Sequence, residues 1–160
     1  MENNLKIKLL PLLFIFVFST LGLKAQNITL SEGNFYRDDS NGKIYWCFVG
    51  KLRHVESIET FNGLFDNASN YVFHTNGISP NLIGDPLVLD NGLINDVNTG
   101  KVYFRRSNYI HYISSAEAFN TYHFSWAAIT DVNGIGSYTP RGPLPINYVS
   151  SYQWSFNPTY

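Results

Sequence analysis

The chain offers few side chains that could carry out covalent or metal chemistry. Its four histidines, His54, His74, His111 and His123, include no closely spaced metal-binding pair, and its single cysteine lacks the second thiol that zinc sites usually use. Cys47 and His54 are close in sequence and could face each other across a hairpin as a nucleophile pair, but no Asn or Asp is placed to orient the imidazole. The sequence therefore predicts no catalytic constellation, no metal site and no cofactor.

Oxygen-bearing side chains recur before two glycines. The pattern Asp-x-Ser-x-Gly begins at Asp38, and Asp-x-Asn-x-Gly begins at Asp96. Alternating oxygen ligands of this kind can hold calcium. They are also ordinary turn residues, because Asp and Asn bond their own backbone and glycine accepts a positive φ. Since neither pattern continues to a bidentate Glu at the calcium-loop distance, we interpret both as turns.

Two glutamates, Glu59 and Glu117, recur in the segments predicted as helices. A paired-acid mechanism would need two such carboxylates about 5 to 10 Å apart. Both fall in a first helical turn, where a negative charge meets the helix dipole, and Ser114 with Glu117 has the spacing of a capping box. We therefore interpret these carboxylates as helix-start residues.

Aromatic and arginine side chains are the stronger functional candidates. Rings edged by hydrogen-bonding groups can stack on sugars, and guanidinium groups suit carboxylated or sulfated partners. Trp46 and Phe104 are expected in the core, while Arg105 and Arg106 are additional donors. The residues for which we predict a binding role are Arg53, His54, Tyr109, His111, Tyr112 and Trp154.

Most of these candidates lie on a stretch of sequence that occurs twice. Sliding residues 33–65 forward by 58 positions lays them on residues 91–123 without a gap. Aromatic residues coincide, as Tyr45 does with Tyr103, whereas Arg53 meets a residue of another type. A repeat that keeps its packing residues and varies its reactive ones is typical of a scaffold.

Each copy is expected to form three strands and one short helix. Alternation of apolar and polar residues indicates the strands, turn residues separate them, and helical spacing follows. In the first copy we predict strands at 34–37, 43–48 and 52–55 and a helix at 57–64. In the second we predict strands at 93–95, 101–106 and 109–113 and a helix at 114–122.

The similarity continues beyond the helices once one residue is skipped. Asn76-Gly77 reappears 57 positions later as Asn133-Gly134, so the repeats span 31–88 and 89–145. Residues 146–160 lie where a third copy would begin, and we predict a closing strand there that covers the edge of the second repeat. The predicted fold is α+β and predominantly antiparallel β, with each repeat a three-stranded meander plus a helix.

The first copy resembles the short ββα repeats of secreted and wall-associated bacterial proteins. The resemblance is carried by Tyr45, Gly50-Lys51, Arg53-His54-Val55, Ser57, Glu59 and Phe61. The second copy departs from the pattern, with Asn108-Tyr109 in place of Gly-Lys and His111-Tyr112 in place of Arg-His. The resemblance implies an extracellular, non-catalytic module.

The N-terminal segment 1–25 has the composition of an export signal. Lys6 and Lys8 precede an apolar run over 9–23, and Ala25 supplies a small residue for cleavage. The run is shorter than the roughly 20 residues of a spanning helix, although an uncleaved anchor is the alternative. We predict a signal peptide at 1–25 and a single domain at 26–160, which is secreted, periplasmic or on the cell surface and has no membrane span.

Charge and cysteine content limit the partners. Residues 1–25 hold three of the 11 basic and one of the 12 acidic residues, so the remaining chain has a net charge of −3, which does not favour nucleic acid. Cys47 has no second cysteine to pair with and is expected to be buried or to form an intermolecular bridge. Oligomers could form through that bridge or through strand edges.

These observations favour an exported, non-enzymatic binding module. Its expected ligand is a glycan or a surface protein, recognised through exposed aromatic and arginine side chains. The alternative is a structural or assembly subunit of an extracellular complex that uses exposed strand edges. A small hydrolase ranks third, because no polar cluster supports it.

Overall fold

A computed structural model of the protein describes residues 28–66, 72–145 and 149–152. The segment predicted as a signal peptide, residues 1–25, and the candidate binding residue Trp154 lie outside these residues.

Two sheets and two short helices make up most of the described chain, so the α+β, β-rich prediction is confirmed at this level. Single turns of 3-10 helix occur at Pro80–Leu82 and Trp126–Ala128. The strands are β1 Ile28–Ser31, β2 Phe35–Asp38, β3 Lys43–Phe48, β4 Lys51–His54, β5 Val72–Thr75, β6 Gly92–Asp96, β7 Lys101–Arg106, β8 Tyr109–Tyr112, β9 Ile129–Val132, β10 Thr139–Arg141 and β11 Val149–Tyr152, and the helices are α1 Ile58–Asn62 and α2 Ala116–Thr121.

Both sheets are mixed. The first sheet has the strand order β4-β3-β2-β5, and the second has the order β10-β8-β7-β6-β9. The antiparallel meanders β2-β3-β4 and β6-β7-β8 agree with the sequence-based expectation, and β3 and β7 have the predicted bounds. The parallel strands β5, β9 and β10 were not predicted. Their pairing joins residues that are far apart in the chain, which local alternation does not indicate.

The pairing within the two sheets corresponds closely. Phe35 pairs with Trp46 in the first sheet, and Leu93 pairs with Phe104 at the matching positions of the second. The parallel pairs β2-β5 and β6-β9 also occupy the same place in the two strand orders.

One hydrophobic core joins the two sheets. Trp46 and Phe104 are both fully buried, and their ring centroids lie 5.5 Å apart in an edge-on contact. Phe48 packs on Phe104 in the same way at 5.2 Å. Each such ring contributes about 1.5–3 kcal/mol through burial. The expectation that Trp46 and Phe104 belong to the core is therefore confirmed.

The opposite face of each sheet has its own smaller cluster. On the first sheet Tyr45, Cys47 and Leu52 pack against Ile78 and Leu82 from the segment after β5. On the second sheet Ile94, Tyr103 and Ile110 are covered by Ile135 and Tyr138. Because both faces of each sheet are covered, the central strands have apolar side chains on both faces.

Gly33 marks a close approach between the two halves of the chain. Its φ is 81°, and a Cβ placed on it would lie 2.0 Å from the carbonyl oxygen of Thr121 at the end of α2. Only glycine fits this position, because both the backbone angle and the contact exclude a side chain.

The closing strand differs from the prediction. A strand does form at Val149–Tyr152, but it pairs antiparallel with β1, Ile28–Ser31, in a separate two-stranded sheet. It therefore does not cover the edge of the second sheet. The edge strands there are β9 and β10.

The start of the second helix also differs from the prediction. Ser115, rather than Ser114, is the N-cap of α2, and its hydroxyl accepts from the backbone N–H of Ala118 at 3.1 Å. Ser57 caps α1 in the same way, through the N–H of Thr60 at 3.1 Å. An N-cap has an extended backbone directly before the first helical residue, which is the conformation of Ser115, so Ser114 lies one residue too early.

Candidate binding cleft

A cleft of about 210 Å³ opens where two hairpins meet. The hairpins are β3-β4 of the first sheet and β7-β8 of the second, and strand β10 extends the second hairpin through parallel pairing with β8. The cleft is lined by Phe48, Val49, Arg53, Arg106, Tyr109, His111 and Arg141.

Arg53 is the most deeply placed cation of the cleft. Only 8% of its surface is exposed. One terminal nitrogen donates to the carbonyl oxygen of Asp85 at 3.0 Å, and the guanidinium carbon lies 5.2 Å from the centre of the Phe48 ring. Its buried Nε has no hydrogen-bond partner among the described residues. Burial, and after it the charge of Arg106, lowers the pKa of Arg53 to about 10.

Two further guanidinium groups border the cleft from the second sheet. Arg106 ends β7 and forms an ion pair with the exposed Asp85 at 2.7 Å. Arg141 lies on β10 and places its guanidinium 4.2 Å from the centre of the Tyr109 ring. This distance is typical of a cation–π contact, which holds the arginine and the ring together at the mouth of the cleft.

His111 is the titratable group of the cleft. Its Nδ1 lies 3.1 Å from the carbonyl oxygen of Gly142, and because a carbonyl only accepts, Nδ1 donates there. Its ring meets Phe48 edge-on at 5.0 Å. Burial, as the main cause, and the charges of Arg106, Arg141 and Arg53 lower the pKa of His111, while the bond to Gly142 opposes them.

The buried carboxylate of Glu32 binds the backbone of the turn in the first hairpin. Val49 and Gly50 both have positive φ, 50° and 65°, as a two-residue hairpin turn of this twist requires. Glu32 accepts the backbone N–H of Val49 at 2.7 Å and of Gly50 at 2.6 Å. Because a β-branched residue is strained at positive φ, these bonds offset the strain at Val49, which lines the cleft.

The structure brings together three of the six predicted binding residues, Arg53, Tyr109 and His111. His54 and Tyr112 lie elsewhere, because they follow Arg53 and His111 on their strands and point to the opposite face. His54 packs on Tyr45 with ring centroids 5.5 Å apart, and Tyr112 packs on Tyr103 at 5.6 Å.

Four lining residues were not among the six predicted binding residues, and of these only Arg106 had been named, as an additional donor. Phe48 and Val49 belong to the hairpin that the sequence did indicate. Arg141 reaches the cleft only because β10 pairs in parallel with β8, opposite His111. Its own neighbours, Pro140 and Gly142, favoured a loop, so no local pattern pointed to it.

The reactive groups considered from sequence are occupied in structural roles. Cys47 is 1% exposed and pairs with Leu52, whereas His54 pairs with Tyr45, so the two do not form a nucleophile pair. Burial, with the charge of Glu32, raises the pKa of Cys47, and an intermolecular disulfide would require the sheet to open.

The two Asp patterns form turns. Asp38 accepts from the backbone N–H of Ser40 at 3.0 Å and of Gly77 at 2.9 Å, and from the amide of Asn41 at 2.9 Å. These bonds stabilise the carboxylate and lower its pKa, although burial opposes them. In residues 28–66, 72–145 and 149–152, no cluster of His, Cys, Asp and Glu could hold a metal ion.

Comparison with protein-family models, curated proteins and solved structures finds no match to this chain. No helix in the described part of the chain has the length and apolar character needed to cross a membrane.

Proposed function

We propose that the protein is an exported, non-enzymatic binding module that recognises a glycan or a surface protein through the cleft between the two hairpins. The observation that supports this function is that Arg53, Tyr109 and His111, singled out by their sequence positions, line one concave site with two more arginines. A site of rings and guanidinium groups suits stacking and hydrogen bonding, and its lining residues include no nucleophile with an adjacent base.

We also propose that the domain consists of two tandem repeats, 31–88 and 89–145, of the secreted bacterial ββα type. Support comes from the strand orders, which coincide over four strands, and from pairings that recur at matching positions of the two copies. In such an arrangement the cleft lies between the two repeats. Arg53 and His111 occupy the same position in their repeats and border the cleft from opposite sides.

The binding function can be tested with the full chain, expressed in a bacterial host so that any removal of residues 1–25 takes place there. The purified protein is screened against a glycan array and against immobilised surface proteins. We expect a ligand whose binding is lost in Tyr109→Ala, since Tyr109 is 40% exposed at the cleft.

Phe73→Ala is the matched control, because Phe73 is an exposed ring outside the cleft, 54% accessible. It should bind like the unchanged protein. Each variant loses one ring contact, Phe73 with Tyr36 and Tyr109 with Arg141, so the two melting temperatures should change by similar small amounts. Absence of any ligand, or equal binding by the Tyr109 variant, would contradict the proposed function.

A structural or assembly role is the second candidate. It is favoured by Phe73, an exposed ring on β5, which is an edge strand of the first sheet. Aromatic side chains on an exposed edge are suited to strand addition between chains. Light scattering of the purified chain tests this role, which predicts a defined oligomer that Phe73→Lys dissociates.

A further inference from the structure

We infer that the cleft binds an oxyanion, namely the carboxylate or sulfate group of an acidic glycan. This inference rests on the proposed function and assigns the chemical class of its ligand.

The cleft carries a local excess of positive charge. Arg53, Arg106 and Arg141 all line it, and His111 adds a side chain that becomes positively charged when protonated. Of these arginines only Arg106 has an ion-pair partner in the described part of the chain, namely Asp85, whose side chain is 82% exposed. The cleft therefore has more positive than negative side chains, although the whole chain is slightly acidic. A local excess of this kind attracts an anion.

Arg53 is a buried charge without a carboxylate partner in contact. It is only 8% exposed, yet its guanidinium meets a neutral carbonyl and a ring face instead of a carboxylate. Its Nε donates no hydrogen bond within the described part of the chain. Buried charges in proteins are normally paired, because an isolated one loses its hydration without compensation. An anion seated in the cleft would supply the missing charge.

The fold keeps space for the guanidinium group of Arg53. A Cβ on Gly84 would lie 3.0 Å from the terminal nitrogen of Arg53 that binds the Asp85 carbonyl. Glycine at position 84 thus lets the guanidinium lie flat beside the neighbouring segment. The side chain is held in one orientation before any ligand arrives, which lowers the entropic cost of binding.

The rings of the cleft indicate the source of the anion. Tyr109 is 40% exposed, although Arg141 lies over its ring, and His111 adds a second ring beside the guanidinium groups, whereas Phe48 is only 1% exposed. A sugar acid presents a C–H face and a carboxylate or sulfate on one rigid ring, which matches this mixture. A volume of about 210 Å³ accommodates one such ring.

The test uses the full chain in isothermal titration with four probes: oligogalacturonate, dextran sulfate, neutral dextran and poly-L-glutamate. We expect one or both acidic glycans to bind, neutral dextran not to bind, and affinity to fall as sodium chloride rises from about 50 to 200 mM. Arg141→Gln should weaken binding by about tenfold, the usual loss for a hydrogen bond to a charged group.

Arg37→Gln is the matched control, because Arg37 carries the same charge on an exposed position paired with Asp39 and lies outside the cleft. It should change the affinity by less than about twofold. Arg53→Gln is the stronger variant, and Arg141, which is exposed, keeps the test valid if that variant does not fold.

The outcomes separate the two proposals. If the chain binds a neutral glycan or a protein in the screen but binds neither acidic glycan, or if Arg141→Gln binds as well as the control, the oxyanion inference is overturned and the binding function stands. Preference for poly-L-glutamate over both glycans would overturn the assignment to a glycan. If no ligand binds in the screen or in the titrations, the proposed function itself fails.

Discussion

Two hairpins that lie 58 positions apart in the sequence meet at the cleft with different side chains. Where the first hairpin has Arg53, the second has His111, and where the first has Phe48, the second has Arg106. The backbone pairing is the same on both sides. At this one pair of positions the same backbone supplies a permanent charge, Arg53, from the first hairpin and a titratable group, His111, from the second.

A second difference involves His54 and Tyr112, the residues that follow Arg53 and His111 on their strands. His54 of the first sheet lines a pocket of about 360 Å³ together with Lys43, Ile44 and Phe61. At the corresponding place in the second sheet, Tyr112 stands beneath the ammonium group of Lys101, 5.5 Å away.

The largest effect is expected where the two sheets are most alike. Trp46 and Phe104 are both 0% exposed and contact each other in the shared core. Trp46→Ala and Phe104→Ala should each lower the free energy of unfolding by about 3–5 kcal/mol, through lost burial and a cavity. Urea denaturation measures both. Because the rings touch, the double variant should lose less than the sum, and strict additivity would contradict a shared core.

The next effect tests the contact between the two halves. Gly33→Ala should lower the free energy of unfolding by about 3 kcal/mol or more. The new Cβ would lie 2.0 Å from the Thr121 carbonyl oxygen, and alanine would be strained at the positive φ of this position. Gly42→Ala is the control, since Gly42 has a φ of 75° but no described atom within 4 Å of the added Cβ. It should cost only about 1 kcal/mol. Equal losses would show that the close approach does not exist in solution.

Acidification should distinguish the two sides of the cleft. Arg53 keeps its charge at pH 5, whereas His111 gains one as the pH falls below its lowered pKa. Affinity for dextran sulfate should therefore rise by roughly threefold to tenfold once the pH has fallen below the lowered pKa of His111, as one added charge near the anion predicts. Titration of His111→Asn should show no such rise, because Asn keeps a donor toward Gly142 but cannot be protonated.

Stability should change with pH in the opposite direction. When the pKa of a histidine is lowered in the folded state, the folded state binds a proton less readily than the unfolded state does. The resulting contribution to stability is complete above about pH 6.5 and is lost as the pH falls. The pKa values of His54, His111 and His123 are all lowered, chiefly by burial. The melting temperature should decline below pH 6.5, less steeply in His111→Asn. A melting temperature that rises on acidification would contradict the burial of these rings.

The smallest effect concerns the two turns. Val49 and Ser107, at matching positions of the two copies, both have positive φ, at 50° and 52°. Val49→Gly should raise the free energy of unfolding by about 0.5–1 kcal/mol, because it removes a strained β-branched residue. Ser107→Gly should raise the free energy of unfolding by less, because serine is not β-branched and is less strained at positive φ. Thermal denaturation compares them, and a destabilised Val49 variant would refute the strain.

Local features of the fold could be predicted because they depend on residues close in sequence. The alternation over residues 43–48 and 101–106 indicated β3 and β7 with the bounds that the structure has. Ser57 was placed correctly at the start of a helix, but Ser114 was not, because two adjacent serines offer the same cap and only the backbone angles choose between them.

Long-range pairing accounts for most of what the sequence missed. β5, β9 and β10 join their sheets in parallel to strands far away in the chain, and β1 pairs with β11 from the other end. Strands this short show little alternation of apolar and polar residues. Their position in a sheet therefore depends on which strand edge is accessible once the core has formed.

By itself the sequence determined the turns, the meanders, the two helix positions and the positions at which the copies differ. Each of these follows from contacts within a short stretch of chain. Only the tertiary structure decided that Arg53 and His111 border one cleft, that Arg141 joins them, and that His54 and Tyr112 lie on other faces. The reason is that a cleft between two sheets depends on how their shared core orients them, and no local pattern encodes that orientation.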